Sequence, residues 1–174
     1  MISAIRTERL NVRRVTADDW RAIQGIWADR AATAYAKYDK PVDTSDAAVL
    51  SRIEKWSLFA DSEEHMFFAV CLDTVLIGYI AFNRRAEGYE IGYCFHSAFH
   101  GKGYAKESIS GILSALRQEG VRFVSAGTAL DNTPSVRLLE SLGFELTEVE
   151  NVSFYSDAHG QPIYFRGGIF ELRM

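Results

Sequence analysis

The stretch EIGYCFHSAFHGKGYAKE, from Glu90 to Glu107, places the tightest constraint on how this chain can fold. Its first residues alternate as in a β-strand, with Ile91, Tyr93 and Phe95 on one face. A glycine-rich turn follows, and then an amphipathic helix with apolar residues at spacings of three and four. This succession predicts an anion site, because free backbone N–H groups and the positive end of the helix dipole face the turn.

The remainder of the chain predicts one mixed α/β domain spanning residues 1–174. Turns such as the one at 86–88 are short, so the strands that they join are expected to be antiparallel neighbours. The strand expected at 123–129 follows a helix, which permits parallel pairing with the strand at Glu90. The predicted order is β-α-α-β-β-β-α-β-α-β-β, with strands at 10–15, 65–72, 75–82, 90–96, 123–129, 145–156 and 162–173 and helices after Thr16, Ser45, Ala105 and Thr133.

Local signals also predict how individual helices begin and end. Thr16 and Asp19 form a capping-box pattern before the first helix. Thr133 is expected to cap the last helix, with Pro134 at its first position. Two glycines are well placed as the residues that end helices, Gly120 and Gly143.

Composition limits the class of protein. The 174 residues include 48% hydrophobic and 24% charged side chains, and the net charge of −4 argues against a basic nucleic-acid-binding surface. No signal-peptide core is present at residue 1, and no apolar run approaches the ~20 residues that span a bilayer. The cysteines and histidines have no metal-ligand or redox spacing, so we expect a metal-free protein of the cytoplasm.

The glycine turn differs from two common phosphate-binding motifs. It lacks the third glycine of the dinucleotide fingerprint, and its strand ends an antiparallel meander instead of opening a βαβ unit. It also lacks the lysine and hydroxyl pattern of a P-loop. On these grounds alone, Gly101 and Gly103 are equally consistent with a tight turn that has only a structural role.

Four further motifs accompany this turn. They are T-E-R-L at 7–10, E-I-G-Y at 90–93, G-K-G-Y-A-x-E at 101–107, and an Asn132-x-x-Ser135 pattern followed by Leu139 and Gly143-Phe144. With these motifs the chain resembles the GCN5-related N-acetyltransferase (GNAT) superfamily over nearly its whole length. The T-E-R-L, E-I-G-Y and G-K-G-Y-A-x-E motifs are similar to those of the branch that includes ribosomal-protein N-terminal alanine acetyltransferases and some antibiotic-modifying enzymes. The motifs taken together are specific for this resemblance, whereas no single motif is.

The resemblance implies a mostly antiparallel central sheet with a splayed parallel strand pair, flanked by helices. Acetyl-CoA would bind at the splay, and the family's pyrophosphate motif, Q/R-x-x-G-x-G/A, matches His100-x-x-Gly103-x-Ala105. The implied cofactor-binding residues are Cys94, Phe95 and His96 for pantetheine, His100, Gly101, Lys102, Gly103, Tyr104 and Ala105 for the pyrophosphate, and Asn132 and Ser135 on the facing loop and helix.

The implied reaction is direct attack of an amine on the thioester, with no metal. The backbone N–H near Phe95 would stabilise the oxyanion, and Glu90 is the first choice for the base, although a salt-bridged carboxylate without a catalytic role is an equal alternative. Leu139 occupies the position where many members carry a tyrosine that protonates the thiolate, so Ser135 is expected to take that role.

Several side chains in the motifs have two interpretations. His96 either offers only its backbone or takes part in catalysis, and Lys102 and Arg137 either face the phosphates or are solvated. Glu107 is interpreted as structural, because a carboxylate in the first turn of a helix is favoured by the dipole. Because His100 replaces the family's Gln or Arg, the turn is expected to lose a stabilising side chain.

The sequence is consistent with more than one kind of acceptor amine. A peptide N-terminus, a polyamine and an antibiotic are all consistent with the resemblance, and so is a homodimer. The segment around Tyr35 and Tyr38, between the first two helices, is either a surface loop or a loop that faces the substrate. The alternative from a different class is a non-catalytic sensor that binds acyl-CoA on the same fold.

Overall fold

The computed structural model describes residues 2–86 and 88–174, so the turn predicted at 86–88 lies partly outside the described residues, at Glu87. Its strands are β1 (Ala4–Arg6), β2 (Leu10–Arg14), β3 (His65–Leu72), β4 (Val75–Arg85), β5 (Gly88–Phe95), β6 (Phe123–Ala129), β7 (Glu145–Ser156) and β8 (Pro162–Arg173). Its α-helices are α1 (Trp20–Ala31), α2 (Asp46–Ser57), α3 (Tyr104–Gln118) and α4 (Thr133–Ser141), and short 3-10 helices lie at Ala17–Asp19, Ala36–Tyr38 and Ser97–Phe99.

The eight strands form one mixed sheet in the order β1-β2-β3-β4-β5-β6-β8-β7. Strands β3, β4 and β5 are the predicted antiparallel meander. The predicted parallel pairing of β5 with β6 is also present, although it extends over only three residue pairs. β8 lies between β6 and β7, so the final hairpin joins the sheet through its second strand and leaves β7 at the edge.

Two cores cover the two faces of the sheet. The larger one packs α3 and α4 against one face, and its fully buried members include Phe82, Ile109, Ile112, Leu139 and Phe170. The smaller one packs α1 and α2 against the other face, where Trp27, Trp56 and Tyr79 form an aromatic cluster. The chain thus folds into a mixed α/β layer structure with helices on both sides of the sheet, as predicted.

One strand was not predicted, and one local expectation is wrong. The sequence pattern did not indicate β1, which has only three residues and is held by pairing with β2. The cap of α4 is Asn132 and not Thr133, because the first intrahelical bond runs from Val136 N to Asn132 O at 3.0 Å. Thr133 is therefore already the first helical residue, and Pro134 follows it.

The other predicted helix ends are confirmed. Gly120 and Gly143 follow α3 and α4 with φ of 84° and 89°, the left-handed conformation that favours glycine. Asp19 closes the capping box by accepting a hydrogen bond from Thr16 N at 2.8 Å. Within the described residues, none of the helices has the length and apolar content that crossing a bilayer requires.

Candidate active site

The parallel pair β5–β6 opens into a cleft. Its pairs are Tyr89 with Val124, Glu90 with Ser125, and Ile91 with Ala126, and the described pairing goes no further along either strand. Beyond this point the two strands no longer bond each other, so backbone groups at 92–95 that face β6 are available to an extended ligand, except Phe95 O, which contacts His100. This is the splay that the resemblance implies.

The glycine turn lies directly after the open end of β5. Gly101 and Gly103 have φ of 71° and 82°, and Gly103 is the N-cap of α3. Both conformations favour glycine, and they let successive backbone N–H groups converge at the start of a 15-residue helix. A donor set of this kind fits a pyrophosphate, which needs several converging hydrogen bonds and no particular side chain.

The turn is supported from behind by Arg9. Its guanidinium donates to Lys102 O at 3.0 Å, pairs with the Glu107 carboxylate at 2.7 Å, and lies 4.6 Å from the centroid of the Tyr104 ring. Because the Lys102 carbonyl points toward Arg9, the following peptide N–H belongs to the opposite side of the turn. Sequence reasoning missed Arg9 as a support of the turn, although the motif T-E-R-L contains it.

Glu107 connects the same two segments of the chain. It accepts hydrogen bonds from Thr7 Oγ1 at 2.5 Å and from Arg9 N at 2.8 Å. Burial would raise the pKa of Glu107, but these hydrogen bonds and the Arg9 charge outweigh it and hold the pKa below its ordinary value. The contacts agree with the structural interpretation of this carboxylate.

The expectation for His100 is wrong. Its Nε2 lies 2.8 Å from Phe95 O, so the imidazole ties the turn back to the end of β5 and does stabilise it. Because a carbonyl only accepts, Nε2 carries the proton in this contact.

The two other cations near the turn have different surroundings. Lys102 donates to Ala98 O at 3.1 Å, and Arg137 is exposed on α4.

Helix α1 fixes the segment between β5 and the turn. Asp29 accepts from Ser97 N at 2.7 Å and from Ser97 Oγ at 2.6 Å. Burial would raise the pKa of Asp29, but the two hydrogen bonds from Ser97 hold it below its ordinary value. His96 accepts from Ala98 N at 3.2 Å through Nδ1, so its ring also supports the backbone here.

A hydrogen bond spans the cleft. The Tyr93 hydroxyl on β5 lies 2.8 Å from Ser135 Oγ in the first turn of α4. Burial raises the pKa of Tyr93, so its phenol stays protonated and remains a hydrogen-bond donor. Leu139, one turn further along α4, is fully buried in the core. Sequence reasoning missed Tyr93 because its place in the alternation assigned it to the apolar face.

Glu90 is in a salt bridge with Arg85. The guanidinium Nε lies 2.9 Å from Glu90 Oε2, and Nη2 binds the same oxygen. The carboxylate side chain is 42% exposed, and Oε1 has no protein partner among the described residues. The salt bridge that was one alternative for Glu90 is thus present, and it leaves one oxygen available.

Cys94 lies on β5 beyond its last pair with β6, and Asn132 precedes α4. Burial raises the pKa of the Cys94 thiol to about 12, so this sulfur is protonated at neutral pH and is not a nucleophile. Asn132 is half-buried, and its side chain makes no capping hydrogen bond with α4. In the described part of the chain, no group of three or more His, Cys, Asp and Glu side chains could hold a metal ion.

The segment at 32–44 lies beside the final hairpin. Tyr38 packs on Phe165 of β8 with ring centroids 5.2 Å apart, and Tyr155 on β7 donates to Ala36 O at 3.4 Å. These contacts hold the segment on the α1 side of the sheet, the same side as Glu90 and Cys94. The predicted residues thus lie on β5, in the glycine turn and at the start of α4.

Comparison with known proteins agrees with this architecture. The model of the acetyltransferase (GNAT) domain family matches residues 9–145. The uncharacterized N-acetyltransferase p20 of Bacillus licheniformis is 27% identical over 150 residues, which are 83% of this chain and 83% of that protein.

Two solved structures share the fold. The ribosomal-protein-S5-alanine acetyltransferase of Vibrio fischeri matches with a TM-score of 0.82 and 14% identity, over 99% of this chain and 97% of that one. The microcin C7 self-immunity acetyltransferase MccE, in complex with acetyl-CoA and AMP, matches with a TM-score of 0.80 and 17% identity, over 96% and 93%. The chain therefore belongs to the GNAT family and is an acetyl-CoA-dependent acyltransferase.

Proposed function

We propose that this acetyltransferase acts on primary amines and that its preferred acceptor is the α-amino group at the end of a peptide chain. The observation that carries the proposal is the β5–β6 splay, which opens between the glycine turn on one side and Glu90 on the other. The likeness to a ribosomal-protein alanine acetyltransferase supports a peptide acceptor.

The state of Glu90 favours an α-amine over a lysine side chain. At pH 7, deprotonating an amine with a pKa of ~10.4 costs about 4.6 kcal/mol, whereas an α-amine with a pKa of ~7.7–8.0 costs only about 1–1.4 kcal/mol. Arg85 already occupies one oxygen of Glu90, so only Oε1 can take a proton from the amine, directly or through a water. The smaller cost of deprotonating the α-amine makes it the better acceptor for a site with this single oxygen.

The proposed roles of the other residues follow from their contacts. Backbone N–H groups at 101–105 would bind the pyrophosphate, and the backbone of Cys94 and Phe95 would lie along the pantetheine. The expected backbone role of His96 is wrong, because its N–H already donates to Ile77 O and its carbonyl accepts from Phe99 N, each at 3.0 Å. When bound, acetyl-CoA supplies the thioester that the amine attacks. The backbone N–H near Phe95 stabilises the oxyanion, and donors of this type contribute about 3 kcal/mol. Asn132 contacts the cofactor from the facing wall.

Ser135 is the proposed proton donor to the departing thiolate. Tyr93 Oη and Ser135 Oγ are 2.8 Å apart and either hydroxyl can donate; when the phenol donates, the serine O–H is free to point into the cleft. Tyr93 is thus a positioning residue. The thiolate is a good leaving group, so this proton transfer contributes less than the oxyanion donor does.

The test is acetylation of an amine panel by the purified protein. We expect acetylated alanyl peptides by mass spectrometry, with one free thiol released per acetyl group and less product from spermidine and aminoglycosides. Tight binding of acetyl-CoA without turnover of any amine would contradict the proposal and favour an acyl-CoA sensor. Turnover of the polyamine or the antibiotic alone would refute the peptide acceptor.

A substitution in the glycine turn tests the cofactor site itself. Gly103→Val places a β-branched residue at φ 82° in the turn, and its Cβ would lie 3.3 Å from Arg9 Nη2. We expect at least about tenfold weaker binding of acetyl-CoA by calorimetry, since losing charge-assisted hydrogen bonds costs about 1.5–3 kcal/mol.

The matched control is Gly120→Val. It carries the same backbone strain at φ 84°, at the far end of α3 with nothing within 4 Å, and it should bind acetyl-CoA normally. If Gly103→Val does not fold, Gly101→Ala keeps the test available, because its Cβ meets nothing within 4 Å. Full affinity in the Gly103 and Gly101 variants would refute the turn as the phosphate site.

A further inference from the structure

A short linker, residues 96–100, joins the two ends of the proposed acetyl-CoA site. Phe95, whose backbone N–H is the proposed oxyanion donor, precedes the linker, and the glycine turn follows it. Because the pantetheine arm has a limited length, a cofactor can occupy both ends only if the linker holds them at the right distance. The spacing of the two ends therefore matters as much as the donors at each end.

Hydrogen bonds within and around the linker fix its shape. His96 N donates to Ile77 O and Phe99 N donates to His96 O, each at 3.0 Å. The contact of His100 Nε2 with Phe95 O, at 2.8 Å, closes the linker into a loop. Because the loop has a fixed shape, the position of the glycine turn depends on what holds the loop from outside.

Asp29, in the last turn of α1, binds the middle of the linker. Each of its carboxylate oxygens accepts one hydrogen bond from Ser97, at 2.7 Å from the backbone N–H and at 2.6 Å from the hydroxyl. His96 Nδ1 lies 3.8 Å from the same carboxylate. One side chain thus ties the linker to α1, which packs on the opposite face of the sheet from α3.

The position of Asp29 is unfavourable for a carboxylate in other respects. The C-terminal end of a helix carries the negative end of the dipole, which disfavours an acidic side chain there. The Asp29 side chain is only 19% exposed, so its charge is also partly removed from water. The contacts with Ser97 compensate for both effects, and residues that depart from local preferences in this way concentrate at functional sites.

We infer that Asp29 is a positioning residue that sets the distance and direction between the glycine turn and the backbone N–H of Phe95. It acts through Ser97 and not by contact with the reacting atoms. The inference rests on the proposed function, because it needs the pyrophosphate at the turn and the thioester at Phe95.

The experiment compares a ligand that spans both ends of the site with one that reaches the turn alone. Asp29→Ala should raise the Kd for acetyl-CoA by about tenfold, as loss of a hydrogen bond to a charged group does. The Kd for ADP, which carries a pyrophosphate without the pantetheine arm, should stay within about twofold of the wild type in an NMR titration. The kcat for an alanyl peptide should fall by about 10–100-fold, because the thioester is misplaced.

Gln24→Ala is the matched control. Gln24 also lies on α1, and its side chain donates to Thr44 O at 2.9 Å and to Asp46 Oδ1 at 2.8 Å. The variant therefore removes two hydrogen bonds of α1 that do not involve the linker, and both Kd values and kcat should equal those of the wild type. Arg9→Gln acts on the turn itself, so it should weaken ADP as well as acetyl-CoA.

Two substitutions at Ser97 test the same contact from the other side. Ser97→Ala removes the hydroxyl bond and keeps the backbone N–H bond, so its effect should be smaller than that of Asp29→Ala. Ser97→Thr keeps the hydroxyl at an exposed position and should retain wild-type values. If Asp29→Ala does not fold, this pair keeps the test available.

Each failure has a distinct signature. If the wild type binds no acetyl-CoA or acetylates no amine, the proposed function fails and the inference with it. If the wild type is active and Asp29→Ala matches it in Kd and kcat, Asp29 does not position the site. Equal weakening of ADP and acetyl-CoA would make Asp29 a support of the turn alone and overturn the inference. An equal loss in Gln24→Ala, or a lower melting temperature with unchanged Kd and kcat, would make the contact purely structural and overturn it as well.

Discussion

At the scale of single residues, the site depends on what each polar group already binds. Glu90 was chosen from its place early on β5, and the structure adds that Arg85 holds one of its oxygens. Ser135 was chosen because Leu139 replaces a tyrosine, and the structure adds the Tyr93 phenol from β5 at 2.8 Å. In both cases the partner decides how the residue can act.

Glu90→Gln should lower turnover of an alanyl peptide mainly below about pH 8, where an α-amine with a pKa of ~7.7–8.0 is largely protonated. Above that pH the amine is already neutral, so the variant should approach the wild type. The measurement is kcat/KM against pH for both proteins. Parallel profiles would remove Glu90 from the reaction.

Arg85→Gln distinguishes a role of Glu90 as the base from a role of its salt bridge with Arg85. It frees the carboxylate of Glu90 without removing it, so turnover should stay within about fivefold of the wild type for an exposed salt bridge of ~0.2–1 kcal/mol. If Arg85→Gln loses as much activity as Glu90→Gln does, the pair acts as a structural unit.

At the scale of elements, the link from the β1–β2 turn to the first turn of α3 is the main support of the phosphate site. Arg9 and Glu107 are 98 residues apart in sequence and share several short hydrogen bonds. The motifs T-E-R-L and G-K-G-Y-A-x-E are therefore two halves of one contact. Each motif is visible in the sequence, but their contact is not, because it forms only when β2 joins the sheet beside β3.

Arg9→Gln should weaken acetyl-CoA binding by about 3–10-fold, since a net hydrogen bond contributes about 0.5–1.5 kcal/mol. The reason is that Lys102 O loses its partner and the turn loses its fixed orientation. Calorimetry gives the affinity, and Arg6→Gln on exposed β1 is the matched control. Equal affinities in the Arg9 and Arg6 variants would show that the turn needs no support from Arg9.

The same link predicts a pH dependence of stability. The pKa of Glu107 is lower in the folded protein than in the unfolded chain. Its contribution is therefore complete above the unfolded pKa of ~4.3 and is lost as the pH falls through the lower, folded pKa. Glu107→Gln should be less stable than the wild type at pH 7, and the difference should shrink below about pH 4. Urea unfolding at both pH values measures this, and a constant difference would contradict it.

At the scale of the whole molecule, the sequence predicts the helices and strands better than it predicts which strands pair with each other. The bounds of β6, β7 and β8 are those expected from alternation and turn residues. The insertion of β8 between β6 and β7 was not expected, because which strand pairs with β6 is decided by contacts between distant residues. The same holds for Tyr93 with Ser135, whose hydrogen bond needs the cleft to exist first.

The placement of β8 makes the C-terminal strand part of the core. Phe170 is 1% exposed and lies in the larger core, whereas Tyr164 on the same strand is 64% exposed. Phe170→Ala should lower the free energy of unfolding by about 3–5 kcal/mol. Tyr164→Ala should change it by less than about 0.5 kcal/mol. Chemical denaturation measures both, and a small effect at Phe170 would mean that the hairpin is an appendage.

The position of β7 at the sheet edge also limits how two copies of the chain could meet. Its 12 residues expose one side of the backbone, a template on which another strand could add. Glu145, Glu148 and Glu150 are exposed along this strand, so two such edges brought together would oppose like charges. Repulsion between these carboxylates therefore disfavours aggregation through the β7 edge. Because salt screens the repulsion, it is strongest at low ionic strength.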